Sequence, residues 1–438
     1  MSRWRSPQDR EIARLAVPAF GALVSEPVYV LTDTAIVGHL GTPQLAGLAV
    51  ASSILLTLYA VFIFLAYGTT AAVSRLIGAG DERAAAAEAV QSLWLAVVIG
   101  VGAALAGLVL AEPLVDLLGA DGEVRVHALL YLRVSLLGVP AMVLVLAGTG
   151  YLRGTQDTRV PLAVAAGTAG LNLVLELAFI YGLDQGLGAS ALATVIAQWV
   201  GAAVYVRRVG RAARARGAAL RPEPAAMRGL ARVGRDLLVR TAALRGAFLV
   251  ATAAATRIGP DDVAAHLVAF EVWTALALGL DAVAIAGQAL VGRALGAGDA
   301  DGARSAGRRM IQWSVALGAV AGLALALLRH PVASVFTDDP RVAGLAAFLL
   351  LVTAAMQPVN AVAFVLDGVL IGAGDMRFLA WAQAGASAVF VLLALAVVGT
   401  GAGIGSLWAA LNVVMAARAG GLLARFVGGR WVVLGARR

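Results

Sequence analysis

The sequence predicts an all-α polytopic membrane protein, with twelve transmembrane helices in two pseudo-symmetric six-helix lobes. Three observations predict it: an apolar composition, apolar runs of bilayer length, and an internal repeat. Of 438 residues, 61% are hydrophobic and 14% charged, and the mean hydropathy is +0.87. A soluble domain is roughly 45–50% apolar and about 25% charged. A water-soluble enzyme or nucleic-acid binder is thereby excluded. With no cysteine in the chain, disulfides and Cys-ligated metal sites are excluded too.

A spanning helix needs about 20 mostly apolar residues. Twelve such segments occur, at 15–38, 46–77, 91–111, 128–150, 160–182, 188–208, 236–258, 264–291, 311–329, 343–371, 378–399 and 404–426. The N-terminal stretch carries Arg3, Arg5, Arg10 and Arg14 but also Asp9 and Glu11, and the apolar run behind it lacks a small-residue cleavage site. It does not read as a cleavable signal.

Orientation follows from Arg, since every basic residue is Arg. With the N-terminus cytoplasmic, the outer loops hold only Arg125, Arg257, Arg329 and Arg341, while Arg133, Arg240 and Arg245 fall inside spans. The excess of the remaining Arg on the other side selects cytoplasmic N and C termini. One stretch, 207–235, holds nine Arg. It reads as a cytoplasmic connector held near anionic headgroups. The organisation expected is therefore an N-lobe at 1–208, a linker at 209–235 and a C-lobe at 236–438.

The chain matches itself at an offset of 218 residues. Gly41 pairs with Gly259, Arg75 with Arg293, and the GAGD at Gly78–Asp81 with the GAGD at Gly296–Asp299. Pro140 pairs with Pro358, Gly154 with Gly372 and Asp157 with Asp375. Six helices per repeat make the halves parallel, related by an axis along the membrane normal, an arrangement common among transporters.

Charge inside hydrocarbon costs about 2.5–3.5 kcal/mol for Asp at a helix centre on insertion scales. The acids that bear this cost are Glu26, Asp33, Glu176, Glu271, Asp281 and Asp367. In the first span Glu26, Tyr29 and Asp33 recur at three and four residues and share a face. Asn172 and Glu176 share a face of the fifth span, and Thr194 adds a hydroxyl from the sixth. This all-oxygen set suits a hard cation or a carboxyl pair holding one proton. The alternative is separately solvated acids. The repeat partner of Asp33 is Ala251, so the set is absent from the other half. A second group comprises Glu271, Asp281 and Gln288 in the eighth span, Asp367 in the tenth, and Arg240 and Arg245 in the seventh. It reads either as Arg–Asp pairs that fix packing, or as substrate contacts or a second protonation site. Pro18 and Pro27 interrupt the first helix and are expected to bend it. No Walker, HExxH or GxSxG pattern supports an enzyme, and the four His lack ligand spacing.

These residues carry a family likeness. The chain resembles the multidrug and toxic compound extrusion (MATE) transporters, and within them the DinF-like branch. The likeness rests on "LTDTAIVGHLG" in the first span, "NLVLE" in the fifth, "AAHLVAFEVW" in the eighth and "LDGVLIGAGD" in the tenth. It implies H+- or Na+-driven export of organic, often cationic compounds across a bacterial inner membrane. No cofactor beyond the coupling ion, no nucleic acid and a monomeric state are expected. By position, Asp33, Asn172, Glu176 and Thr194 match the family's N-lobe cation site, and Pro18 matches its bending proline. The family often has Asp where this chain has Glu176, and both H+ and Na+ stay open. A lipid-linked precursor flippase of the same superfamily is the alternative, although it favours a basic cavity where this chain places acids.

Overall fold

A computed structural model describes residues 7–183 and 185–436. Arg3 and Arg5 lie outside these residues. Fourteen α-helices and no strand are found among the described residues. They are α1 (Pro7–Gly38), α2 (Thr42–Phe62), α3 (Phe64–Gly78), α4 (Glu82–Leu117), α5 (Gly122–Leu136), α6 (Val139–Gly154), α7 (Arg159–Leu177), α8 (Leu187–Ala215), α9 (Pro224–Ile258), α10 (Pro260–Gly296), α11 (Ala300–Phe336), α12 (Pro340–Gly372), α13 (Met376–Gly399) and α14 (Ile404–Val427).

Eleven helical segments are long and apolar enough to span a membrane, and twelve if the bent pair α5–α6 counts as one span. Two expected helices differ in detail. The run 46–77 is interrupted at Ile63 into α2 and α3. The run 128–150 is bent by 48° between α5 and α6. Pro140 has no N–H for the preceding turn, and its ring crowds the carbonyl four residues back. Gly138 supplies the loose backbone at which the chain yields. In the repeat partner, Met356 stands where Gly138 does, and α12 runs unbroken through Pro358.

The chain separates into two compact units, one of residues 17–234 and the other of 235–436 together with 7–16. The first turns of α1 thus pack with the second unit. There Asp9 accepts from Arg309 Nε at 2.6 Å and Nη2 at 2.7 Å, and from the Trp313 indole at 2.8 Å. The Arg-rich stretch is mostly helical. Only 216–223 lies between α8 and α9, and it is stapled to α4. Gln91 donates to the Arg221 carbonyl at 2.9 Å and accepts from the Glu223 amide at 2.7 Å, while the Trp94 indole reaches the Leu220 carbonyl at 2.9 Å.

The repeat is built into the packing. Asp81 caps α4 by accepting from the Ala84 amide at 2.8 Å, and Asp299 caps α11 through the Gly302 amide at 2.7 Å. Gly80 and Gly298, the glycines just before these caps, have φ of 78° and 77°, a left-handed conformation that favours glycine. Close helix crossings recur as well. A Cβ on Gly150 would meet the Ala66 carbonyl oxygen at 2.6 Å, and one on Gly154 the Thr70 oxygen at 3.1 Å. In the other unit, a Cβ on Gly368 would strike the Ala284 carbonyl, and one on Gly372 the Gln288 oxygen at 2.5 Å. Each partner sits 218 residues from its counterpart. Paired small residues four apart let two helix backbones touch, α3 on α6 in one unit and α10 on α12 in the other.

Candidate functional site

The site in the first unit is assembled by α1, α5, α7 and α8. α1 presents Tyr29 and Asp33 one turn apart. α7 presents Asn172 and Glu176 on one face and then passes into a π-helical turn, Ala178–Gly182, closed by the Leu183 amide on the Ala178 carbonyl at 3.0 Å. Such turns are rare and frequent at functional sites. α8 contributes Ser190 and Thr194, again one turn apart.

The side chains converge. Ser190 donates to Oδ1 of Asp33 at 2.8 Å. The Glu176 carboxyl interacts with Asp33 and with the Ser190 hydroxyl beside it. Tyr29 and Thr194 hydroxyls meet at 2.8 Å, and the buried Tyr131 of α5 stands beside Thr194. Asp33 is 5% exposed, Asn172 2%, Glu176 1% and Ser190 0%. Both amide atoms of Asn172 and Oε1 of Glu176 are buried without a hydrogen-bond partner. No Arg or His lies within ion-pair distance of Asp33 or Glu176 among the described residues. Two neighbouring buried carboxyls with no countercharge are a costly arrangement, which a proton on one of them or a bound cation would relieve. The unpartnered atoms of Asn172 and Glu176 are the polar groups left over for that exchange.

Of the expected residues, Tyr29, Asp33, Asn172, Glu176 and Thr194 are brought together. Glu26 lies one turn before Tyr29 on α1 and beside Tyr59 of α2. Ser190 and Tyr131 complete the site. Ser190 was legible as the residue one turn before Thr194. Tyr131 lies in the fourth span with no spacing signal. Pro18 and Pro27 sit inside α1, which remains one helix. A proline leaves unpaired the carbonyl four residues earlier, here those of Arg14 and Leu23.

The corresponding region of the second unit is apolar core. Tyr29, Asp33 and Tyr131 have Ala247, Ala251 and Leu349 as repeat partners, all in one buried cluster. Where α7 and α8 supply Glu176 and Ser190, α13 and α14 supply Leu393, Ala394, Leu407 and Trp408 to that cluster. Its polar member is His266. The Trp408 indole donates to His266 Nδ1 at 3.2 Å, and Nε2 meets the Thr252 hydroxyl at 3.3 Å. With Nδ1 accepting, Nε2 carries the ring proton, so this is a neutral histidine with both nitrogens used.

The second acidic group is only partly gathered. Asp367 accepts from both Arg240 and Arg418, with Asp281 facing Arg418. Arg418 lies inside the span 404–426 and was legible there as a charge. Gln288 is buried with Oε1 unpartnered. Glu271 and Arg245 are exposed and stand outside the ion cluster. No group of three or more His, Cys, Asp or Glu able to hold a metal occurs among the described residues.

The MatE family model matches residues 18–178 and 238–399. The chloroplastic protein DETOXIFICATION 44 of Arabidopsis thaliana is 33% identical, over 93% of this chain and 80% of its own length. DNA damage-inducible protein F of Escherichia coli is 30% identical, over 94% of this chain and 90% of its own. Crystal structures of MATE in the straight and in the bent conformation superpose with TM-scores of 0.87 and 0.88. Each is 23% identical and covers 97% of this chain, and the alignment takes in 96% and 95% of those chains. With its two units of spanning helices, its internal repeat and these matches, the chain belongs to the MatE family of multi-pass membrane transporters.

Proposed function

We propose that the chain is a secondary antiporter of a bacterial inner membrane, exporting organic, often cationic compounds in exchange for inward H+. The observation that carries this reading is the buried Asp33–Glu176 pair, which lacks a countercharge and is present in one unit only. An acid pair that merely fixed the scaffold would recur with the scaffold; here the repeat keeps the glycine crossings and caps and drops the acids. H+ is favoured over Na+. Two neighbouring buried carboxyls without a countercharge favour a proton on one partner, and Asp33 already accepts from Ser190.

In the cycle we assign, the pair takes up a proton from outside and releases it inside. Asn172, Ser190, Thr194 and Tyr29 hold the carboxyls in register. Pro18 and Pro27 leave α1 two unpaired carbonyls, which lowers the cost of bending there. The α1 helix that carries Asp33 is the element through which proton state acts on the substrate pathway. Asp367 is a weaker candidate for substrate contact, since Arg240 and Arg418 already compensate its charge. Both termini are assigned to the cytoplasm, and the chain is read as a monomer.

The test is efflux from proteoliposomes under an imposed pH or Na+ gradient, comparing wild type with Asp33→Asn. The expected result is H+-driven efflux lost in the variant. Unchanged gradient-driven transport would refute the assignment, and Na+-driven, pH-indifferent efflux would refute the choice of ion.

A further inference from the structure

At the Arg-rich end of the second unit, a cavity of about 310 Å³ opens between the first turn of α1 and the first three turns of α11. Arg304, Ser305, Arg308, Arg309 and Gln312 line it from α11, and Gln8 from α1. Asp301 lies at its rim, 95% exposed at the side chain, where it meets Arg304 at 3.2 Å. The walls are fixed. Gln8 donates to the Ser305 hydroxyl at 3.1 Å, and the buried Asp9 grips Arg309 and Trp313 from behind. That pairing consumes the charge of Arg309. Arg308 has no acid within ion-pair distance among the described residues, and Arg304 has only the solvated Asp301, a contact worth little. The cavity therefore presents an uncompensated guanidinium, a second that is weakly held, and neutral hydrogen-bond donors. That set fits a phosphate oxygen group carrying about one negative charge.

The helix continues the pattern. Arg308 and Gln312 lead at helical spacing to Val320, Leu323 and Leu327, all exposed. The opposite face of α11, through Gly318 and Gly322, lies against the carbonyls of Gln357 and Ala354 of α12. A polar cavity thus opens at one end of an apolar, outward stripe. A soluble anion would use the cavity alone, whereas a phospholipid would use both.

We propose that this cleft binds the phosphodiester headgroup of an anionic membrane lipid, its acyl chains lying along the outward stripe of α11. The site is independent of the coupling acids, which lie in the other unit.

The test is native mass spectrometry of the full-length transporter with phosphatidylglycerol, with phosphatidylcholine of the same acyl chains, and with inorganic phosphate. Wild type is expected to retain phosphatidylglycerol over phosphatidylcholine. The Arg304→Ala/Arg308→Ala variant is expected to bind it about tenfold more weakly or worse, at roughly 1 kcal/mol per basic residue near a charged surface. Arg83→Ala, an exposed charge of the other unit, is expected to bind as wild type does. Equal retention of the two lipids, unchanged binding by the double variant, or an equal loss in Arg83→Ala would overturn the site. Displacement of phosphatidylglycerol by inorganic phosphate would overturn the lipid in favour of a soluble anion.

Discussion

Ser190 gives its hydroxyl hydrogen to Asp33 across 157 residues of chain, at 2.8 Å. The bond ties α8 to α1 at the carboxyl on which coupling is proposed to depend. Asp33→Asn removes the ionisable group and is expected to abolish gradient-driven efflux. Ser190→Ala leaves both carboxyls and removes one hydrogen bond to a chargeable group, worth about 1.5–3 kcal/mol. It is expected to lower the rate and leave transport measurable. Parallel flux assays of the two variants check the order.

Thr194 is bonded to the Tyr29 phenol, and the Tyr131 phenol stands beside it. Removing one leaves the other, so Tyr29→Phe and Tyr131→Phe are each expected to cost less than half of what the double variant costs. Groups that share a partner are not additive. A double-mutant cycle on efflux rate reads the coupling; strict additivity would show that the two phenols act independently.

The glycine crossings give a stability prediction with an internal control. Gly368→Ala places a methyl on the backbone of α10 and is expected to destabilise by about 1–3 kcal/mol, the usual cost of overpacking. Gly150→Ala repeats the insult against α3. Gly344 lies in the same helix as Gly368 with nothing near its added Cβ, so Gly344→Ala is expected to be neutral or to stabilise by about 0.5–1 kcal/mol. Thermal unfolding in detergent ranks the three.

Asp367 lies between two guanidiniums that are at most 12% exposed at the side chain. Removing it strands both, and loss of one partner of a buried pair costs about 3–5 kcal/mol. Asp367→Ala is expected to unfold well below wild type in the same assay. A restored midpoint in Asp367→Ala/Arg418→Met would assign the loss to the stranded charge.

Much of this was legible because hydrocarbon simplifies the code. Length and polarity find a span, and an acid inside one stands out. Asp33 and Glu176 were found by that rule, and their meeting was suggested by same-face spacing on two helices. The same rule admitted Glu26 and Glu271, since a sequence states that an acid lies in a span but not which way its helix is turned. Glu26 finds a tyrosine and Glu271 faces outward. Tyr131 carried no signal: an aromatic in an apolar run is the commonest thing a span contains, and only packing separates it from its neighbours. The bend between α5 and α6 depended on Gly138 acting with Pro140, whereas Pro358 alone left its helix intact.

The duplicated crossings have a historical reading. Gly150 and Gly368 meet carbonyls 218 residues apart, and so do Gly154 and Gly372, so the contact was fixed before the two halves parted. Six spans return a chain to the side it started from, and each half would enter a bilayer the same way round as a separate gene product. The repeat is what duplication of a half-length unit would leave. After fusion each copy became free to lose what the other retained: one kept or gained its acids, and the other filled the same place with alanine, leucine and tryptophan. Specialisation began where symmetry was no longer enforced by a shared gene.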